Sequence, residues 1–456
     1  MRMFFSAAAL LCLSACAVQG ELPPLSADPA ITPDVAAEAM IEATDPASAA
    51  PEAMESDPPM SEARALHERL IVMDSHLDTP ILLERPGFDI TERHDPILDY
   101  SQVDLPRMIE GGLDGGYWVI YTPQGPLTEA GYASARDSAL LRAVAIQRML
   151  AAYPEHFAIA TRSEDAAKIH AQGKRIVYQS IENSYPLGED ISLLETFYDL
   201  GVRMVGPVHF RNNQFADSGT DVAGPMWDGL SPIGEELVKE ANRLGMIIDA
   251  SHAHDLAFDD MVELSATPIV LSHSGTRALY DHPRNLDDAR LQKLAESGGV
   301  IQMNALGAYL KALQQEPARQ TALAEVFAAF RELGSDATEA EYEAILERRR
   351  QIDAEFPADM ADFEDFMEQT LYALELLGTD HVGIGADWDG GGGVIGMRDI
   401  AAFPLITERL LAEGYTEEDL TKIWGGNLTR LLKAAEDHAD ALKAAAAAEA
   451  ASQVAE

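Results

Sequence analysis

The chain has 456 residues, of which 47% are apolar, enough to fill a large buried core. Its 76 acidic and 33 basic side chains leave a formal charge of −43, which excludes nucleic acid and a bare anionic lipid surface as partners. The two cysteines, Cys12 and Cys16, both lie near the start, so neither a disulfide scaffold nor a thiolate metal site is available to the body of the chain.

Residues 1–16, MRMFFSAAALLCLSAC, read as a secretory signal: Arg2, an apolar run from Met3 to Leu13, then small residues. The run is too short to span a bilayer and stay there. Its end, Leu13-Ser14-Ala15-Cys16, resembles the bacterial lipobox. That resemblance implies lipidation of Cys16 and a lipoprotein on the periplasmic face of a membrane, the outer one because Ala17 follows. Contact with the bilayer is then expected only through the acyl chains. Residues 17–60 have no aromatic side chain, and 21–60 hold nine carboxylates without a Lys or Arg. Such a segment cannot offset the entropy of ordering and is expected to be a flexible acidic Ala/Pro linker.

Residues 61–436 alternate short apolar runs with longer helical stretches. The runs are 70–75, 115–122, 174–181, 202–208, 245–250, 268–273, 298–304 and 381–387, each rich in Val, Ile or Met. Helices are expected between them, 138–153 and 234–245 among them. Eight strand–helix units predict an α/β fold of the closed (β/α)8 TIM-barrel type. The stretch 305–380 is too long for one crossover and predicts a helical insertion between the seventh and eighth strands, with 340–356 as one helix. Residues 437–456 read as an Ala-rich tail.

Polar residues cluster where these runs end. His76 and Asp78 follow the first and Glu182 the third; His209 ends the fourth. His252 follows the fifth, His273 ends the sixth and Asp387 the eighth. In a parallel barrel all these positions share the carboxyl rim, where barrel enzymes build their sites. His76-x-Asp78 puts two donors on one side of an extended strand end. A carboxylate such as Glu182, set between two cations, can give one oxygen to each. Imidazole and carboxylate donors without thiolate suit zinc or a similar divalent ion. Two such ions roughly 3.5 Å apart can share a hydroxide and polarise a carbonyl, the machinery of metal-dependent amide hydrolysis. Asp387, between glycines in GIGADWDG, is then the expected proton shuttle. His254 and His282 are expected to stay clear of any metal.

In order along 61–436, DSHLD, the Glu of SIEN, VHFRNNQFADS, IDASH, LSHS, PRNLDD, GIGADWDG and GGNLTRLL resemble the membrane (renal) dipeptidase family. The resemblance implies two zinc ions, one held by His76, Asp78 and Glu182, the other by Glu182, His252 and His273. It implies catalysis by Asp387, substrate contact by His209, and a grip on the substrate's terminal carboxylate by Arg284, whose planar fork suits that task. The implied substrate is a small dipeptide, a D-residue at its C-terminal position being tolerated in the family. The family often has small glycines after the bridging Glu; here Asn183-Ser184-Tyr185 is expected to narrow or reshape the pocket. Other readings are a different binuclear barrel amidohydrolase, acting on a lactone, cyclic amide or β-lactam, and a lipoprotein that only binds a ligand. Many such amidohydrolases open with His-x-His and carry a bridging Lys after the fourth strand, whereas this chain has His-x-Asp and His209. Barrels of this size often pair, which leaves a homodimer open.

Overall fold

A computed structural model describes residues 61–333 and 337–455. The expected signal peptide, Cys16 and the linker lie outside the described residues. Among the described residues ten strands are present, all paired in parallel: β1 (Met73–Leu77), β2 (Gly115–Ile120), β3 (Phe157–Ile159), β4 (Arg175–Ile181), β5 (Val202–Val205), β6 (Ile247–Ile248), β7 (Val270–Thr276), β8 (Asn285–Leu286), β9 (Val300–Met303) and β10 (Val382–Ile384). One sheet runs β1-β2-β4-β5-β6 and a second runs β7-β9-β10. Single bridges join them into a ring, Asp249 to Val270 at one seam and Leu77 to Trp388 at the other. Eight strands thus close the expected barrel. β3 and β8 were not anticipated; they add to the edges of β4 and β7 outside the ring, and two or three residues are too few to show an alternating pattern.

The floor of the barrel is apolar. Met73, Tyr117, Ile176, Met204, Ile247, Val270 and Val300 pack with Leu428, Leu431 and Leu432 from the last helix, Asn427–Ala455. That helix plugs the amino end of the ring and continues without a break through the expected tail, where residues 440–453 are exposed. A larger apolar layer lies between the ring and the outer helices. Helix ends follow local chemistry. Thr128 caps Glu129–Ala152, starting that helix nine residues ahead of the expected position, because a side-chain oxygen on the Gly131 N–H outweighs the weak apolar pattern there. Ser231 caps Pro232–Leu244, which stops at left-handed Gly245. The insertion carries Pro317–Glu332 and Glu339–Glu355, paired around their own apolar cluster. Among the described residues no helix is long and apolar enough to cross a membrane.

One buried histidine ties the first helix to the frame. His67 is fully buried, its Nε2 2.9 Å from the carbonyl of Gly111 and its Nδ1 2.6 Å from the Thr407 hydroxyl. Thr407 also accepts the indole N–H of Trp424. A carbonyl can only accept, so Nε2 carries the proton and Nδ1 accepts from Thr407: the neutral ring satisfies every partner. Burial pushes its pKa down to about 4. The unfolded chain therefore takes up this proton first as pH falls. The stabilisation is complete above about pH 6.5 and drains away down to about pH 4, by up to about 1.4 kcal/mol per unit. In denaturant melts of chelator-treated protein, His67→Gln is expected to flatten the wild-type slope across that window. Parallel slopes would show that His67 stays protonated in the fold.

Candidate metal centre

The carboxyl mouth of the ring gathers the expected residues around one atom, Oε1 of Glu182. The Nε2 atoms of four histidines face it: His252 at 3.1 Å, His209 at 3.4 Å, and His76 and His273 each at 3.6 Å. His76 Nε2 also lies 3.6 Å from Asp78. Donor atoms of His76, Asp78 and Asp387 fall within 4.8 Å of one another, as do those of His76, Glu182 and His273, and of Glu182, His209 and His252. All seven side chains are buried, the most open being Asp387 at 7% exposure. The geometry therefore puts His209 in the same range from Glu182 as the three histidines expected to share a cation with it. His254 and His282 stand apart: His254 caps the helix Asp255–Leu264, and His282 accepts the Arg284 N–H and packs on Tyr309.

The strands end differently from the expected pattern. His76 lies inside β1 and not beyond it, His273 lies inside β7 and not at its end, and His209, His252 and Asp387 sit three or four residues past their strands. Pairing is irregular in the same places, between Asp74 and Leu77 and between Leu271 and Ser274. At the two seams of the ring, a pair of buried carboxylates takes the place of ladder hydrogen-bond partners. Asp74 accepts the N–H of His76 at 2.7 Å and of Ala386, the neighbour of Asp387, at 3.0 Å. Asp249 does the same between β6 and β7. His252 and Asp387 also have left-handed backbones, φ 69° and 66°, a strained setting for a non-glycine residue held by its surroundings. Gly390 lets the turn close: a Cβ there would run into the carboxylates of both Asp78 and Asp387. Neither Asp74 nor Asp249 was singled out in the sequence, although each lies two or three positions ahead of a site histidine.

Electrostatics separates the four imidazoles. Burial opposes charge on His76, yet Glu182 and Asp78 override it and raise its pKa to about 10. Burial, with Arg284 and other imidazoles nearby, pushes His209, His252 and His273 well below the usual range, so all three are neutral. Burial raises Glu182 well above the carboxylate range and Asp387 to about 7, against the pull of His76. His252 and His273 set their Nε2 atoms 2.8 Å apart. Buried His76 Nε2, Asp78 Oδ1 and His252 Nδ1 have no hydrogen-bond partner. Converging neutral imidazoles and unpartnered carboxylate oxygen in a buried site fit divalent cations, which need deprotonated donors.

Around this cluster, Arg284 donates to the His273 carbonyl at 3.0 Å and lies 5.3 Å over the ring of Tyr309, its Nε unpartnered. Tyr121 packs its ring 4.8 Å from that of His209 and was missed by sequence reasoning. Tyr185 corrects an expectation. Its ring is buried with Tyr132 and Ala135, and its hydroxyl donates to the carbonyl of Pro126 at 2.6 Å. The bulk after Glu182 is spent on anchoring the loop after β2, not on crowding the mouth. Asn183 supports it, its oxygen accepting from Tyr185 and Asn213.

Comparison with known proteins agrees with this geometry. A model of the membrane dipeptidase family, Peptidase family M19, matches residues 60–446. Dipeptidase tcpJ of Claviceps purpurea is 29% identical over 363 residues, 78% of this chain and 75% of that protein. Among solved structures, the probable dipeptidase PvdM from Pseudomonas aeruginosa is similar at TM-score 0.69 and 31% identity, over 82% of this chain and 98% of that one. A metallopeptidase from Rhodobacter sphaeroides, liganded with a phosphinate mimic of the dipeptide L-Ala-D-Ala, is similar at TM-score 0.63 and 26% identity, over 80% and 99%.

Proposed function

Since the chain belongs to the membrane dipeptidase family and is a metallo-dipeptidase of that type, we propose that it hydrolyses small dipeptides, a D-residue at the C-terminal position included, with two zinc ions. The observation that carries the reading is Glu182, whose Oε1 lies within 3.6 Å of imidazoles belonging to both expected ligand groups. His76, Asp78 and Glu182 would hold one ion; Glu182, His252 and His273 would hold the other. When bound, the pair supplies Lewis acidity toward water and toward a carbonyl oxygen.

The remaining work falls to side chains of the chain itself. Asp387 takes the proton of the attacking water and returns it to the leaving amine nitrogen. The D-residue allowance draws on the phosphinate ligand of the Rhodobacter relative. His209 is reserved for the substrate, because it sits on the loop beyond β5 with its ring against Tyr121 and Phe210, where a donor can reach oxygen that gains charge. Arg284 takes the substrate's carboxylate through its free edge. Arg284→Lys is accordingly expected to raise KM by about 10–100-fold with kcat little changed, as for loss of a charge-assisted bidentate contact. Steady-state kinetics on one good dipeptide tests this; an unchanged KM would remove Arg284 from the substrate.

A panel of L,L and L,D dipeptides, offered to zinc-saturated and chelator-stripped protein, tests the function. Turnover that disappears on chelation and returns with zinc is expected. No turnover of any dipeptide by zinc-saturated protein would overturn the proposal.

A further inference from the structure

Asp249 does more than bridge two strands. Its Oδ1 accepts the backbone N–H groups of Ser251 at 3.0 Å and Ser272 at 2.9 Å, the residues just ahead of His252 and His273. Its Oδ2 accepts the Ser272 hydroxyl at 2.6 Å. A carboxylate has no proton to give, so the hydroxyl proton is committed to it and the Ser272 oxygen is left to accept. The nearest donor is His273 Nδ1 at 2.8 Å; His76 Nδ1 lies farther off at 3.4 Å. With its proton on Nδ1, His273 turns a bare Nε2 toward Glu182. Asp249 and Ser272 are 3% and 0% exposed, which leaves this arrangement to the protein's own groups.

We infer that Asp249 and Ser272 are positioning residues for metal binding: the carboxylate orients the hydroxyl, and the hydroxyl fixes the tautomer of His273 and, more weakly, of His76. One side chain thereby sets a ligand of each expected cation. Outer partners of this kind orient metal-binding imidazoles and hold the proton on the far nitrogen. The inference rests on the two-cation reading of the site.

Because the relay has a direction, it can be reversed without changing its shape. In Asp249→Asn the amide oxygen still serves the two backbone N–H groups, but the amide N–H now points at Ser272. The hydroxyl proton is turned onto His273 Nδ1, and the ring's own proton is displaced to Nε2, the nitrogen that must bind. Zinc affinity, read by competition with a chromophoric chelator, is expected to fall at least about tenfold in Ser272→Ala and further in Asp249→Asn. The double variant Asp249→Asn/Ser272→Ala is expected to recover to the Ser272→Ala level, since no hydroxyl remains to present the wrong proton. A role confined to strand packing predicts the reverse, a double variant worse than either single one, and that result would overturn the inference. So would single variants within about twofold of the unchanged protein, given the usual cost of losing such a partner. Should circular dichroism show Asp249→Asn unfolded, the same tenfold and twofold limits on Ser272→Ala decide alone. If the unchanged protein binds no zinc, the two-cation reading fails and this inference with it; equal binding by all variants sinks this inference only.

Discussion

Asp387→Asn is expected to keep its bound metal and lose about 10²–10⁴-fold in kcat, the usual contribution of a positioned proton-transfer group. The substitution is nearly isosteric, and Asn tolerates the left-handed backbone at φ 66°, so the turn should survive. The turn is also held from the main chain, the Asp387 carbonyl accepting from the N–H groups of Gly391 and Gly392 at 3.1 and 2.8 Å. What the amide cannot do is accept a proton at neutral pH. Metal analysis alongside kinetics separates the alternatives. Metal lost together with rate would make Asp387 a ligand, in keeping with its place beside His76 and Asp78; an unchanged kcat would leave it no catalytic part.

Glu182→Gln should have a still larger effect, on the metal itself. Losing an outer partner of a ligand typically weakens metal binding 10–100-fold, so about 100-fold is a floor for losing the shared carboxylate. Fewer than two ions per chain and no measurable turnover are expected. The metal-free fold should respond in the opposite sense. Glu182 is buried beside the charged ring of His76, three neutral imidazoles and two other carboxylates, and burial, outweighing the pull of His76, drives its pKa well above the usual range. A neutral amide of the same shape avoids that burial cost. Metal-free Glu182→Gln is therefore expected to melt at or above the temperature of metal-free wild type. A lower melting temperature would mean that Glu182 holds the barrel together, and lost activity could then not be charged to the metal site.

The frame of the protein was legible because parallel barrel strands are buried on both faces and read as continuous apolar runs. The positions of His76, Glu182, His252, His273 and Asp387 relative to those runs pointed to a shared rim, and the structure brings them to one cluster. Strand ends were less legible. A pattern of apolar residues cannot show that Asp74 and Asp249 replace backbone partners and so let His76 and His273 sit within their strands. Tyr185 misled for a related reason: sequence gives the size of a side chain but not its direction, and Pro126, which receives its hydroxyl, lies 59 residues away. The even spacing of four imidazoles around Glu182 was also beyond the sequence, since it depends on loops after β5 and β6 whose course no periodicity encodes.

Every strand and every residue of the metal cluster is in place by residue 387, yet the hole the strands enclose is filled by Leu428, Leu431 and Leu432. A fragment clipped ahead of these leucines would hold the complete chemistry around a hollow centre, and unfilled apolar volume of that kind is among the costliest defects a fold can carry. A product that lacks these three leucines is therefore expected to lose the support of its metal cluster, however much of the reactive mouth it contains.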